Sequence, residues 1–435
     1  MNNQVKIAFY TLGCKLNFTE TSYLANSFNS DNFTIVPFSS VADIYIVNTC
    51  SVTSSANSKS RNAIRRAHHL NPEAIIAVTG CYAQLKPDEI MEIPGVQILA
   101  GSNQKLMIQK LIGQLSEKNK THTYVEPSAG FCSFEPAYSF GDRTRSFVKV
   151  QDGCDYKCSY CTIPLARGGS RNQSVSETVN QVINLYKSGM HEIILTGINL
   201  GDFGKTTGEK LIDLLDALSK TPMPRIRLGS IEPNLLTEDI ITLLSETPNL
   251  MPHFHIPLQS GSADMLKIMR RRYNPELFAL RIEQIRKCIP EAFIGIDVIV
   301  GVNGETIGLF EESYRFVKQL EISQVHIFSF SERENTDILS VKPKVPPKEI
   351  EQRSKLFHKL SEQKHTDFSR MYIGTNRNVL WESSRKANRI FGFTDNYLKC
   401  ETEFNARLIN KVLPAKLESI SSTGTIISKP LHYES

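Results

Sequence analysis

Three cysteines at the spacing Cys154-x-x-x-Cys158-x-x-Cys161 offer three soft thiolate ligands on one short stretch. Thiolates at that density suit iron–sulfur chemistry. A cubane cluster has four irons, so three thiolates leave one iron without a protein ligand. Clusters that only pass electrons are ordinarily held by four cysteines. A vacant iron therefore points to something bound there. Zinc is the competing reading, but such zinc sites bring a second Cys or His pair at short range, and none follows Cys161. Residues 147–153 read as a strand ending in a turn and 162–170 as an irregular loop, so a strand feeds the cysteines into a loop.

Three more cysteines are placed by the elements around them. The first 115 residues alternate strands (5–11, 43–48, 74–79, 96–100) with helices (19–28, with Thr19 as N-cap, then 58–70 and 103–115), which implies a mostly parallel sheet. Cys14, Cys50 and Cys81 each follow a strand, at the carboxyl edge where open α/β sheets bind ligands. Gly13 and Gly80 let the backbone approach closely there. One buried cysteine is ordinary core. Three in equivalent topological positions imply a second cluster, again with an open iron.

The CxxxCxxC loop resembles that of the radical S-adenosylmethionine (SAM) superfamily, and nearly the whole chain is similar to the methylthiotransferase family within it. The resemblance is carried by Leu12-Gly-Cys-Lys-Leu-Asn17, Asn48-Thr-Cys-Ser-Val-Thr53, Lys59-Ser-Arg61 and Ile64-Arg-Arg66. It implies two [4Fe-4S] clusters, on Cys154, Cys158 and Cys161 and on Cys14, Cys50 and Cys81. It also implies SAM bound through its amino and carboxylate groups at the first cluster and cleaved to methionine and a 5′-deoxyadenosyl radical. Sulfur would be carried at the second. An external one-electron donor and a sulfur source follow as partners. The Lys15-Leu16 pair resembles the branch acting on threonylcarbamoyladenosine beside the tRNA anticodon. The isopentenyladenosine branch more usually shows a GCQMN-type loop and the ribosomal-protein branch a GCPKN-type loop. Both remain alternatives, as does a non-enzymatic RNA-binding iron–sulfur protein.

Beyond the cysteine loop, strands at 191–196, 225–230, 254–258, 292–300 and 324–330 alternate with amphipathic helices. With the strand before Cys154 they make six βα units, a partial (β/α)6 TIM-like barrel whose site would lie at the carboxyl ends of the strands. By resemblance those ends line the SAM pocket through Gly197, Asn199, Ser230, Glu232 and Gln259, with Ser260 toward the substrate. No catalytic residue is assigned beyond the cluster ligands. Asn303 stands where the family usually has Pro. The basic run 268–273 reads equally as a solvated helix end or as a contact to phosphates or the SAM carboxylate. Asp297, inside an apolar strand, needs a partner.

The fold class expected is thus α/β multidomain: an N-terminal open parallel sheet (1–115), a linker (116–139), the radical SAM core (140–370) and a small β-barrel (371–435). Short, regularly spaced strands mark the last part, which resembles the OB-like TRAM RNA-binding domain. There Arg385, Lys386, Arg389 and Lys399 lie among Phe391, Phe393 and Tyr397, a mixture suited to phosphates and base stacking. A chain of 435 residues is too long for one ordinary core. Nine cysteines, an odd number, argue against a secreted disulfide scaffold. Cys132, Cys288 and Cys400 lack partner spacing and read as non-ligands. No signal peptide or spanning segment is evident, so a cytoplasmic protein with no membrane partner is expected. A net charge of +5 permits a polyanion such as tRNA.

Overall fold

The computed structural model describes residues 4–28, 32–115, 120–141 and 143–431. The chain forms two compact units, residues 1–142, 147–172 and 331–336 making the first and 143–146, 173–330 and 337–435 the second. The CxxxCxxC loop, drawn from sequence with a central domain starting at 140, thus folds with the N-terminal sheet.

In the first unit, strands β1 (Val5–Thr11), β2 (Phe33–Ile35), β3 (Ile44–Thr49), β4 (Ile75–Gly80), β5 (Val96–Ala100) and β6 (His122–Tyr124) form a parallel sheet in the order β2-β1-β3-β4-β5-β6. Helices α1 (Lys15–Ser27), α2 (Ser54–Leu70), α3 (Cys81–Leu85), α4 (Pro87–Met91) and α5 (Ile108–Gly113) supply the crossovers. Successive side chains of a strand point to opposite faces, and both faces here are apolar. Ile7, Ile46, Ala77 and Ile98 pack with Leu24 of α1, Phe28 at its C-cap and Ile108 of α5. Ala8, Tyr45, Val47 and Val78 pack with Ala63, Ile64 and Ala67 of α2.

Three boundaries differ from expectation. Helix α1 starts at Lys15 with Cys14 as its N-cap; Thr19, expected to be the cap, lies inside it and its hydroxyl donates back to the Lys15 carbonyl (2.8 Å). Helix α2 starts at Ser54, where the Thr53 hydroxyl accepts from the Ala56 N–H (3.1 Å). The linker supplies β6, which at three residues is too short to show a period; residues 116–119 at its start lie outside the described residues.

After the linker, β7 (Ala137–Tyr138) pairs with β8 (Ser146–Lys149). Strands β9 (Gln151–Asp152) and β10 (Arg171–Asn172) pair antiparallel, closing the cysteine loop at its neck, and α6 (Ile163–Arg167) lies within that loop.

The second unit runs α7 (Val175–Lys187), β11 (Glu192–Thr196), α8 (Leu211–Ser219), β12 (Arg225–Leu228), α9 (Glu238–Glu246), β13 (His253–Gln259), α10 (Ala263–Ile268), α11 (Pro275–Cys288), β14 (Phe293–Val300), α12 (Ile307–Gln319), β15 (Gln324–Ser329) and α13 (Pro347–Arg370). Strands β11 and β12 are parallel, as are β13, β14 and β15. Parallel bridges Ile226–Leu250 and Ser230–His255 join the two groups. All five carboxyl ends therefore share one rim.

Strands β16 (Asn376–Lys386), β17 (Arg389–Thr394), β18 (Lys399–Glu403), β19 (Val412–Ile420) and β20 (Ile426–Pro430) close a barrel in the order β16-β17-β18-β20-β19 around Trp381, Leu398 and Cys400. Between β18 and β19 the chain makes a single 3-10 turn (Ala406–Leu408), because the Asn405 side chain accepts from the Arg407 N–H (3.0 Å) and bends the chain.

A buried ion cluster fixes this barrel to β11 and β12. Glu192 meets Arg225 (3.0 Å), Arg227 (3.1 Å) and Arg145 (3.8 Å), and Arg145 also meets Glu382 (2.9 Å). Arg225 and Arg227 donate on to the carbonyls of Phe393 (3.2 Å) and Asp395 (2.9 Å). Arg145 lies 4.2 Å from the Phe393 ring centre and Arg227 4.9 Å from that of Tyr397. Burial alone would raise the Glu192 carboxyl; the guanidiniums of Arg227, Arg225 and Arg145 hold it down to about 2. Burial pulls Arg225 down to about 10, so it remains charged at neutral pH. Glu192→Gln strands these cations, and the expected loss is about 3 kcal/mol in urea melts. The folded carboxyl titrates below its ordinary value of 4.5. Its stabilisation is therefore complete above that range and drains away as pH falls toward 2. E192Q should lack this part of the acid dependence.

Candidate active site

Cys14, Cys50 and Cys81 stand on one rim of the first unit, at the carboxyl ends of β1, β3 and β4, which are neighbours in the sheet. The strands end level: Thr11 is opposite Asn48 and Asn48 opposite Thr79. With strands about 5 Å apart, the three loops begin within roughly two strand spacings. Cys14 caps α1 and Cys81 is the first residue of α3, so both lie at helix N-termini, where anions are favoured. A Cβ on Gly80 would sit 2.3 Å from the Thr49 carbonyl oxygen, and one on Gly13 2.9 Å from the Cys50 sulfur. Only glycine leaves these loops that close and that space beside the thiol open. Burial pushes the Cys50 thiol up to about 11, against a backbone hydrogen bond at Val52 and the charge of Arg167, while Cys81 and Cys14 push the same way as burial. Metal binding at this rim therefore requires the loss of a firmly held proton.

The second cysteine set is held by its own loop. The Cys154 N–H donates to the Gly168 carbonyl (3.0 Å), closing the turn. Backbone N–H groups of Tyr156 and Ile163 point at the sulfurs of Cys154 (3.4 Å) and Cys161 (3.5 Å). Such bonds to sulfur stabilise negative charge on it and tune a cluster's potential.

The two cysteine sets are tied together by a residue that sequence reading passed over. Arg167 ends α6 and is 1% exposed. It donates to Asn17 Oδ1 (2.7 Å) and to Glu20 (3.0 Å), both on α1, and to Asp152 (2.9 Å) on β9. Asn17 in turn donates to the carbonyls of Leu12 (2.8 Å) and Thr49 (3.0 Å), on the loops of Cys14 and Cys50. Glu20 also pairs with Lys105 and Lys149 (3.2 Å), and Asp152 with Lys149 (2.9 Å) and Arg171 (3.3 Å). Burial would raise both carboxyls, but Arg167 and the lysines hold Glu20, and Arg167, Lys149 and Arg171 hold Asp152, well below the usual carboxylate range. Four buried cations face two buried carboxylates, leaving two positive charges over. Arg167 lies within electrostatic reach of Cys81 and Cys50.

These residues fit thiolate-bound clusters. The donors are soft, the loops are held by backbone contacts, and the surplus cationic charge suits an anionic group. Among the described residues no three Cys, His, Asp or Glu side chains converge closely enough for a single ion. Cluster thiolates, each on a different iron, need no such convergence. Cys132 and Cys288 are exposed and Cys400 lies in the barrel core, its thiol pushed by burial up to about 12.

In the second unit the five residues read toward SAM follow the ends of β11, β12 and β13. Gly197 and Asn199 follow β11, and Asn199 donates to Asp202 (2.9 Å). Ser230 forms the bridge to His255, and Glu232 beyond it is paired with Arg271. Burial raises the Glu232 carboxyl against the pull of Arg271, with Asp202 and Asp297 pushing the same way. Gln259 ends β13 at φ +67, with its Oε1 buried and lacking a hydrogen-bond partner among the described residues. A left-handed non-glycine residue and a buried acceptor without a partner are both uncommon. The basic run divides: Arg271 is buried on Glu232, whereas Arg270 is exposed and pairs with Asp337. Asp297 finds its partner in His255 (2.7 Å). Asn303 donates to the Ile338 carbonyl (3.1 Å), so it holds the loop by a bond that Pro could not make. On the barrel, Phe393 and Tyr397 are engaged by arginines of their own unit. Lys399 over Phe391 (4.9 Å) and Arg385 over Phe404 (4.3 Å) remain as basic and aromatic pairs.

Residues 6–101 match the family described as uncharacterized protein family UPF0004, and residues 148–317 match the radical SAM superfamily. The threonylcarbamoyladenosine tRNA methylthiotransferase MtaB of Bacillus subtilis is 35% identical, the match covering 94% of this chain and 93% of that protein. Its counterpart in Aquifex aeolicus is 34% identical over 92% and 97%. The ribosomal protein uS12 methylthiotransferase of Prochlorococcus marinus is 30% identical over 90% and 87%. Among solved structures, the radical S-adenosylmethionine methyltransferase TsrM from Kitasatospora setae is similar in fold, with a TM-score of 0.56 over 77% of each chain at 13% identity. Among the described residues no helix is long and apolar enough to cross a membrane.

Proposed function

The chain belongs to the radical SAM methylthiotransferase family, and we propose that it replaces the hydrogen on adenine C2 of threonylcarbamoyladenosine, beside the tRNA anticodon, by a methylthio group. One SAM would serve as methyl donor and a second as radical source. The observation that carries this reading is the folding of both cysteine sets into one unit, tied by Arg167 and Asn17. Adenine C2 has no leaving group and no acidic hydrogen, so sulfur and a radical must be delivered to one place. When bound, the clusters supply the one-electron chemistry and the sulfur carriage.

The protein's own share is holding and ordering. Cys154, Cys158 and Cys161 would hold one [4Fe-4S] cluster, and Cys14, Cys50 and Cys81 the other. Gly197, Asn199, Ser230, Glu232 and Gln259 would hold SAM on the rim of a partial (β/α)6 barrel. Glu232, paired with Arg271, would meet the ligand with its charge already matched, and the orphaned Gln259 Oε1 would offer an acceptor to an amine or hydroxyl. The five-stranded barrel, acting as a TRAM domain, would meet RNA phosphates through Arg385, Lys386 and Lys399. An external one-electron donor and a sulfur source complete the cycle. The choice of nucleoside follows the relatives named for threonylcarbamoyladenosine, three of which, at 34–35% identity, exceed the 30% of the ribosomal-protein relatives.

Nucleoside mass spectrometry tests it. The protein is expressed anaerobically in a host lacking methylthiotransferases, and the tRNA is digested. The expected result is a methylthio adduct on threonylcarbamoyladenosine alone. An adduct on isopentenyladenosine moves the protein to a sister branch. No nucleoside adduct, from protein holding both clusters, together with modified uS12, would replace this reading by the ribosomal-protein one.

A further inference from the structure

A cavity of about 270 Å³ in the first unit has no part in the site as described so far. Ser51, next to Cys50, and Thr162, next to Cys161, both line it, so it lies where the two cysteine loops meet. Its remaining walls are the N-terminal half of α2, the region of α3 and α4, Leu165 of α6 and residues 332–335. Among the described residues, Leu85 and Leu165 are its only apolar side chains. Most of its charges are already matched: Arg61 pairs with Glu89 (3.6 Å) and Lys86 with Glu334. Arg333 differs. Its Nε donates to the Val52 carbonyl (3.3 Å), but its Nη2 is buried and has no hydrogen-bond partner among the described residues. Asn57 Oδ1, across the same cavity, is buried and unpartnered as well. Arg333 and Cys50 are within electrostatic reach of each other. A buried donor and a buried acceptor without partners, facing one cavity, call for a ligand that offers both kinds of group.

We propose that this cavity receives the polar arm on N6 of the substrate nucleoside, with Arg333 donating to its carboxylate and Asn57 Oδ1 accepting from its N–H groups. This rests on the reading above that the substrate is threonylcarbamoyladenosine. That arm carries a carboxylate, a hydroxyl and urea N–H groups. An isopentenyl arm carries only carbon beyond N6 and would leave Arg333 Nη2 and Asn57 Oδ1 buried and unmet. The N-terminus of α2, with Ser54 and Ser58 at the cavity wall, adds partial positive charge for the carboxylate. Glu332 and Glu334 also line the cavity, but both are exposed.

The test is equilibrium binding of the reconstituted holoenzyme, without SAM, to an anticodon stem-loop RNA carrying either threonylcarbamoyladenosine or plain adenosine at the same position. The modified loop should bind about tenfold or more tighter, the usual worth of a hydrogen bond to a charged group. Arg333→Met should collapse that gap while binding the plain loop as wild type does; Arg333→Lys should restore part of it, and Asn57→Leu should narrow it. Equal binding of the two loops by wild type, or a gap that survives Arg333→Met, overturns the assignment whatever the turnover. A gap that collapses in Arg333→Met without methylthiolation by wild type keeps the cavity's role and refutes the proposed reaction instead.

Discussion

Cys154→Ala abolishes SAM cleavage and methylthiolation together, whereas Cys50→Ala abolishes methylthiolation and leaves SAM cleavage in place. This is the outcome expected if the two cysteine sets hold separate groups with separate tasks. The physical basis is that the sets belong to independently built loops. Cys154 is held by a turn within the β9–β10 loop, and Cys50 by the end of β3. Removing a buried thiol at Cys50 leaves the strand core untouched, since Ile44, Tyr45, Ile46 and Val47 carry the packing on both faces. Each variant should lose about half of the iron bound by wild type, on the order of four of eight atoms. The readouts are 5′-deoxyadenosine, methylthio nucleoside and iron per chain, taken on one preparation. Methylthiolation persisting in Cys50→Ala would remove the first domain from the chemistry. Loss of all iron in either variant would mean that the two sets form one cooperative site.

The placement of the cysteines was legible in the sequence because it is set locally. A CxxxCxxC spacing sits on one loop, and a strand-end position is read from a short apolar run. The parallel sheet was legible for the same reason. Elements set by distant partners were not. Thr19 looks like a helix cap, yet Cys14 caps the helix, because the residues between them continue α1 to the end of β1. Phe393 and Tyr397 have the composition of a nucleic-acid face, but Arg145 and Arg227, more than a hundred residues away, lie over their rings. No window of sequence contains both sides of that contact. Arg333 is the same case: it stands in a stretch without period, and only its folding beside Val52 and α2 brings it to the cavity. Arg167 carried one signal that could have found it: an arginine in an apolar α6, six residues after Cys161 and before a Gly-Gly pair, needs a buried carboxylate to be tolerated.

Arg167 is also where the largest effect outside the cysteines is expected. Arg167→Met removes a guanidinium that serves Asn17, Glu20 and Asp152 at once. Glu20 keeps Lys105 and Lys149, and Asp152 keeps Lys149 and Arg171, so neither carboxylate is left bare. The expected loss is therefore at the lower end for breaking a buried ion network, about 3 kcal/mol. Function should suffer more than stability. Asn17, set between the loops of Cys14 and Cys50, loses its shorter Oδ1 bond and keeps only the longer one from Lys105 (3.4 Å), and a buried positive charge within electrostatic reach of Cys81 disappears. Iron bound at reconstitution should fall, and any cluster that assembles should show a more negative midpoint potential, since less positive charge favours the oxidised state. Arg167→Lys keeps the charge but cannot make the same fork of bonds; it should recover the potential more fully than the stability. The acid dependence gives an independent check. Glu20 and Asp152 titrate below their ordinary values of 4.5 and 3.8 in the folded protein. Their contribution is thus complete above those values and lost as pH falls through and below them. Arg167→Met weakens the depression, so urea midpoints measured from pH 6 down to 3 should fall less steeply than those of wild type, the two curves converging in acid. Parallel curves, with iron content and potential unchanged, would show that Arg167 only fills space between the loops.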